Sequence, residues 1–449
     1  MDFGSCVGKR LCGGFFRKEV FIVLIIGLAI RYFVGFFLTY TYDVHSWALI
    51  ISNFESGNGL YDVAGFNYTP PWGYILGTFS VIAEMFGLDV FGERFTEALS
   101  VEEIEGWFFS ASAPSIAFAL AIKTMYFVVD IAVGYAIYWI VRERTSDDRK
   151  ALIGFALWFL CPLVIAVGGI GGMFDTFTVL LTLLTVIFLM RDRYLLAGMC
   201  LGTAALMKIF PGVFVFVMIA YVILKHRGDG KAVPALVQSF IGLASIIVIL
   251  LLPQILDGTL SDCFGFLTSR AGDGMGVGGD LVTYGTIAAY AAILVVTLLL
   301  AYRTARGSGN DPDGTLLTML MVNGAVLFLY PSTPQYIMLL IPFLIVQLVT
   351  VDSRYRVPYI LFAIGTTMFS LGGNATFLIP LAGFTDLVSM DTVLAGVEWF
   401  HTSFAFGIAP IHIIYYGGAA LQYLGTLMTL FTFAKVRGDT HSAETPETA

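Results

Sequence analysis

The sequence predicts an all-α protein that threads a bilayer about 12 times, and three observations carry that prediction. Of 449 residues, 58% are hydrophobic and only 12% charged, with a mean hydropathy of +0.85; a water-soluble domain is about a quarter charged. Apolar stretches of about the 20 residues a helix needs to cross hydrocarbon recur along the whole chain, Val20–Tyr40 and Val233–Leu252 among them. Between these stretches the 24 basic residues cluster at 9–18, 142–150, 191–193, 225–231, 303–306, 354–356 and 435–437, leaving only Arg31, Arg94, Lys123, Lys208 and Arg270 elsewhere.

Lys and Arg stay on the cytoplasmic side, so an even number of crossings separates successive clusters. From the first cluster to the second, three apolar stretches compete: 20–40, 71–88 and 113–140. The stretch 71–88 is short, opens with Pro70-Pro71 and contains Glu84. It is therefore expected as a helix in the outer interface, inside one large first external loop over 41–112. The same parity gives later spans at 151–168, 174–190, 194–210, 211–224, 233–255, 282–302, 314–331, 335–351, 357–372 and 406–434. External loops follow at 169–173, 256–281, 332–334 and 373–405, the last containing the sequon Asn374-Ala375-Thr376. Three regions result: a cytoplasmic N-terminus over 1–19, one membrane domain over 20–434, and a polar tail over 435–449 expected to be disordered and cytoplasmic.

Lys9, Arg10, Arg17 and Lys18 before the first span resemble the start of a signal peptide, but no small-residue cleavage site follows, so the span is read as retained. The net charge of -8 argues against a nucleic-acid partner. The five cysteines have no metal-ligand spacing, and only Cys263 falls on the outer side, so no disulfide framework is implied.

Parity brings Asp43, Asp175, Lys208 and the pair Gln335-Tyr336 to one membrane face. A carboxylate at a bilayer boundary is costly, so several polar groups at one depth point to a reaction site. Asp43, just past the first span, is the candidate general base, or else an acidic residue opening a solvated loop. His45 could share a hydrogen bond or a divalent cation with Asp43, or be solvated; Asp-x-Asp would chelate better than Asp-Val-His, so metal dependence stays open. Phe66 to Tyr74, with Tyr68, mixes turn formers and aromatics that suit either a headgroup belt or stacking on a sugar. Gly168 to Asp175 is a glycine-rich external turn whose aspartate either caps the next helix or faces a ligand. Lys208 either snorkels to the interface or neutralises a phosphate, and Arg270 either does the same or is solvated. Gln335 and Tyr336, in an external turn, fit capping or substrate hydrogen bonding equally. Lys123 and Asp130 share one helical face of a buried span and are expected to pair with each other or with Arg31.

Taken in order, Asp43-Val44-His45, Tyr68-Thr69-Pro70, Gly172 to Asp175, Met207 to Pro211 and Pro334-Gln335-Tyr336 resemble the motifs of the GT-C integral membrane glycosyltransferases. Among those, they are most similar to the mannosyltransferases that add the first mannose in GPI-anchor synthesis. The resemblance covers most of the chain up to about residue 345 and departs at His45, where that family has a second aspartate. It implies a GT-C-like fold and inverting transfer of a hexose, most of all mannose, from a polyprenyl-phosphate carrier to a hydroxyl of a glycolipid, glycan or protein at the outer face. Asp43 would be the base, Lys208 with Gln335 and Tyr336 would face the leaving phosphate, and Asp175 would hold hydroxyls. The alternative is a transporter or flippase for lipid-linked sugars, against which stand the absence of a visible inverted repeat and the position of the largest loop at the start of the chain.

Overall fold

The computed structural model describes residues 18–62, 66, 68–91, 114–264, 279–306, 311–329, 333–372, 375–378, 380–381, 388–402 and 407–444. They are helical, without a strand among them, apart from one isolated bridge between Phe91 and Pro114. The helices are α1 (Lys18–Phe37), α2 (Thr41–Glu55), α3 (Pro70–Met85), α4 (Ile116–Thr145), α5 (Asp148–Phe159), α6 (Pro162–Ile165), α7 (Asp175–Met190), α8 (Tyr194–Met207), α9 (Val215–Lys225), α10 (Ala232–Asp257), α11 (Gly279–Arg306), α12 (Pro312–Leu327), α13 (Ile341–Thr350), α14 (Arg356–Gly372), α15 (Met390–His401) and α16 (Pro410–Glu444).

Local chemistry sets many of these ends. Ser115 caps α4 by accepting from the Phe118 amide at 3.0 Å, and Asp147 caps α5 through the Arg149 and Lys150 amides. Pro70 and Pro71 sit in the first turn of α3, where proline costs no helical hydrogen bond. The helix α6 runs into a π-helical turn, Ala166–Gly171, which ends at Gly172 with φ +63°.

Three helices, α1, α4 and α10, are long and apolar enough to cross a membrane, and α5 with the segment Pro162–Gly171, bent by 45°, makes a fourth. Shorter apolar helices follow, α7, α8 and α9 among them; parity would draw its remaining spans from such segments. Large side chains on α1 and α10 point outward, including Phe21, Phe33, Val233 and Ile249, as faces bathed in lipid would. α8 and α10 cross with backbone against backbone: a side chain at Gly198 would strike the Ser239 carbonyl, and one at Gly242 the Leu195 carbonyl. Close approach of this kind drives helix association where lipid supplies no hydrophobic force.

Two departures from the sequence reading matter. The stretch after Tyr40 turns directly into α2, so Asp43 lies in the first turn of a helix rather than at the start of a solvated loop. At the other end α16 continues through Glu444 instead of giving way to a disordered tail at 435. Within that extension Asp439 meets Arg354 at 2.8 Å, a contact between distant residues that no local pattern encodes.

Candidate active site

The site is built on α4, which packs against α1, α5, α7 and α13. Its buried face carries Lys123, Tyr126 and Asp130, at i, i+3 and i+7 and hence along one stripe of the helix. Lys123 and Asp130 do not pair. The Lys123 ammonium instead donates to the Gly35 carbonyl (2.9 Å), the Leu38 carbonyl (3.1 Å) and Thr39 Oγ1 (2.7 Å). It thereby satisfies the orphan carbonyls at the end of α1, where a cation also meets the negative end of the helix dipole. Those residues lead straight into α2 and Asp43. Asp130 pairs with Arg31 Nε at 3.2 Å and accepts from Thr176 Oγ1 at 2.7 Å. Arg31 also donates to the Phe159 carbonyl at 2.6 Å, so every charge in this layer has a partner. One helix thus holds the chain beside both site carboxylates: Lys123 near Asp43, and Asp130 through the residue next to Asp175.

The glycine turn is pinned from the other side. Trp47 Nε1 of α2 donates to the Gly172 carbonyl at 2.9 Å. Phe174 stacks on Trp72 with ring centres 4.4 Å apart and meets Tyr68 edge-on at 5.0 Å. A side chain at Gly172 would run into Val44, so both the positive φ and the close approach of α2 call for glycine.

Lys208 ends α8. Its backbone leaves the helix for extended geometry, φ -148° and ψ 138°, ahead of the 3-10 turn Phe210–Phe214 that contains Pro211. Thr69 donates from its hydroxyl to the Leu206 carbonyl, which joins the start of α3 to the end of α8. The Lys208 ammonium then sits among three rings, 4.3 Å from the centre of Phe174 and 5.1 Å from those of Tyr68 and Tyr336, with Asp175 Oδ2 at 3.6 Å. Such rings stabilise a cation by their electron-rich faces. At that distance the carboxylate is a charge contact longer than a hydrogen bond. Asp175, Thr178, Lys208, Gln335 and Tyr336 line one narrow cavity of about 10 Å³.

Asp43, Asp175 and Lys208 are each more than nine-tenths buried. Burial pushes the Asp43 carboxyl up to about 7; the Lys208 charge opposes that rise and the Asp175 charge adds to it. Asp43 Oδ2 has no hydrogen-bond partner. A carboxyl raised in this way changes its ionisation near neutrality.

The structure therefore brings together six of the residues expected from sequence, Asp43, Tyr68, Asp175, Lys208, Gln335 and Tyr336. His45 lies two residues on from Asp43 in the same helix, with its ring 6.0 Å from that of Phe91. Arg270 lies outside the described residues, as does Asn374 of the sequon. Among the described residues, no group of three or more His, Cys, Asp and Glu could hold a metal ion. The sequence reading overlooked Tyr126, Thr176 and Thr178, because in an apolar span a tyrosine or threonine reads as packing; only the i+3 spacing of Tyr126 from Lys123 and of Thr178 from Asp175 hinted at a shared face.

Comparison with known proteins gives a match to the model of glycosyltransferase family 87 over residues 108–332. That stretch contains Asp175 and Lys208, while Asp43, Tyr68, Gln335 and Tyr336 flank it. GPI mannosyltransferase 1 of Saccharomyces cerevisiae is 27% identical over 128 residues, which are 28% of this chain and 31% of the yeast protein.

Proposed function

The chain belongs to glycosyltransferase family 87, and on that premise we propose that it transfers a hexose, mannose, from a polyprenyl phosphate to an acceptor hydroxyl at the extracytoplasmic membrane face. Asp43 removes the acceptor's proton as its oxygen attacks the anomeric carbon from the side opposite the phosphate, and the configuration inverts. The C–O bond to the phosphate breaks as the new glycosidic bond forms. A phosphate leaves without being protonated, so one carboxylate suffices where an inverting glycosidase needs two. Lys208 stabilises the charge gathering on the departing phosphate, with Gln335 and Tyr336 beside it.

The observation that carries this reading is the placement of Lys208: a buried ammonium held in an aromatic cage, one contact from Asp175 and acting on Asp43. A lysine that only snorkelled would extend its ammonium to water, whereas this one is held inside. The mannose assignment rests on the motif resemblance and on the partial similarity to the yeast enzyme.

The test is reconstitution of the purified protein with polyprenyl-phosphate mannose and membrane glycolipid, followed by mass analysis. A new glycoside of inverted configuration is expected, and Asp43→Asn should form it about 100-fold more slowly or worse. Movement of labelled lipid across the bilayer with no glycoside formed would defeat the reading in favour of transport.

A further inference from the structure

Four buried side-chain atoms around the site have neither a hydrogen bond nor an ion pair in the protein: Asp43 Oδ2, Trp72 Nε1, Tyr126 Oη and Thr178 Oγ1; Asp175 Oδ2, also without a hydrogen bond, has the Lys208 ammonium at 3.6 Å. Their positions are linked. Trp72 stacks on Phe174, the residue before Asp175, and Tyr126 packs 6.0 Å from Trp72 and 6.3 Å from Phe177. Thr178 follows Asp175 by one helical turn and lines the same cavity as Lys208. The charges acting on the Tyr126 hydroxyl are those of Asp43 and Asp175, together with the Tyr68 phenol. Trp72 and Tyr126 are both wholly buried.

Left unpaired, each such group costs stability, because water has been removed and nothing has replaced it. The set is also chemically mixed: the Asp43 oxygen accepts when ionised, the indole N–H can only donate, and the two hydroxyls can do either. A phosphate would satisfy the donors but be repelled by the carboxylates, and an isoprenoid tail would satisfy none. A ring bearing several hydroxyls donates and accepts at once.

We infer that Trp72, Tyr126 and Thr178, with Asp175, form a subsite for sugar hydroxyls, in which the Tyr126 hydroxyl makes a direct hydrogen bond to the hexose. This rests on the function proposed above and adds to it three residues that touch the sugar rather than its phosphate. It also accounts for polar atoms that the fold leaves unsatisfied: they are matched when substrate is bound.

Tyr126→Phe tests it, since it removes one oxygen from a side chain whose ring stays packed. The reconstituted, purified variant is compared with the parent using polyprenyl-phosphate mannose and its monodeoxy analogues, and thermal unfolding is recorded alongside. The variant is expected to unfold at the same temperature as the parent or higher, because it no longer buries an unpaired hydroxyl. Its kcat/KM with intact donor should fall about tenfold, a factor of the size one hydrogen bond confers. With one particular deoxy donor the parent should lose that factor already, and the substitution should cost little more. Unchanged kcat/KM overturns the inference, and so does a loss of the same factor with every analogue, which would mark Tyr126 as shaping the site without touching the sugar. A parent that transfers no mannose defeats the proposed function, a result told apart from these by the parent control alone.

Discussion

The pH profile of transfer should expose Asp43 and its two charged neighbours separately. With its carboxyl pushed up to about 7 by burial, Asp43 is protonated, and useless as a base, on the acidic side of neutrality. The sign is therefore fixed: kcat/KM, which reports groups in the free enzyme, falls as pH drops through about 7. The ionised share is about half at the pKa, about a tenth one unit below and about nine-tenths one unit above, so the rate should change roughly tenfold across that window. An ordinary aspartate, near 3.9, would give a flat profile there. The neighbours then pull in opposite directions. Lys208 favours the ionised form, so Lys208→Met should move the limb to higher pH; Asp175 disfavours it, so Asp175→Asn should move the limb to lower pH. The assay is initial-rate transfer in liposomes, comparing the position of the limb and not its height, since both variants also disturb substrate handling. A limb that stays in place in both variants, or that persists in Asp43→Asn, would refute the assignment of Asp43 as base.

Three further outcomes follow from the layer beneath the site. Arg31→Met leaves the Asp130 carboxylate buried without its cation and should cost about 3–5 kcal/mol of stability; thermal unfolding in detergent measures it, and adding Asp130→Asn should return most of the loss. Thr176→Val removes the 2.7 Å hydrogen bond to Asp130 and loosens Asp175 against Lys208, so KM for the donor should rise several-fold while Thr176→Ser stays near the parent, as steady-state kinetics would reveal. Gly172→Ala places a methyl group against Val44 in a backbone conformation that costs an L-residue about 1–2 kcal/mol; activity should fall, and the compensating Val44→Ala should restore part of it.

Much of the site was legible in the chain. Asp43, Asp175 and Lys208 stand out because a charge next to an apolar span demands a reason, and parity of the basic clusters predicts that they share one depth. Pro70-Pro71 announced the start of α3, and the glycines before Asp175 announced a turn. The partners of the buried charges were less legible. Lys123 and Asp130 share a face of α4 and were expected to pair with each other or with Arg31; Asp130 does meet Arg31, and Thr176 besides, while Lys123 reaches the end of α1.

Composition, hydropathy and the spacing of Lys and Arg are properties of the chain alone, and they suffice to predict a helical protein rich in apolar spans, which the helices bear out. Which of its polar groups meet, at what distance and in what dryness was decided by packing. The cage around Lys208 takes rings from three separate segments, Tyr68, Phe174 and Tyr336, and the unpaired oxygen of Asp43 owes its proton affinity to the neighbours that exclude water from it. Contacts between residues far apart in sequence depend on how helices cross, and helix crossing is fixed by side-chain shape across the whole core rather than by any local pattern.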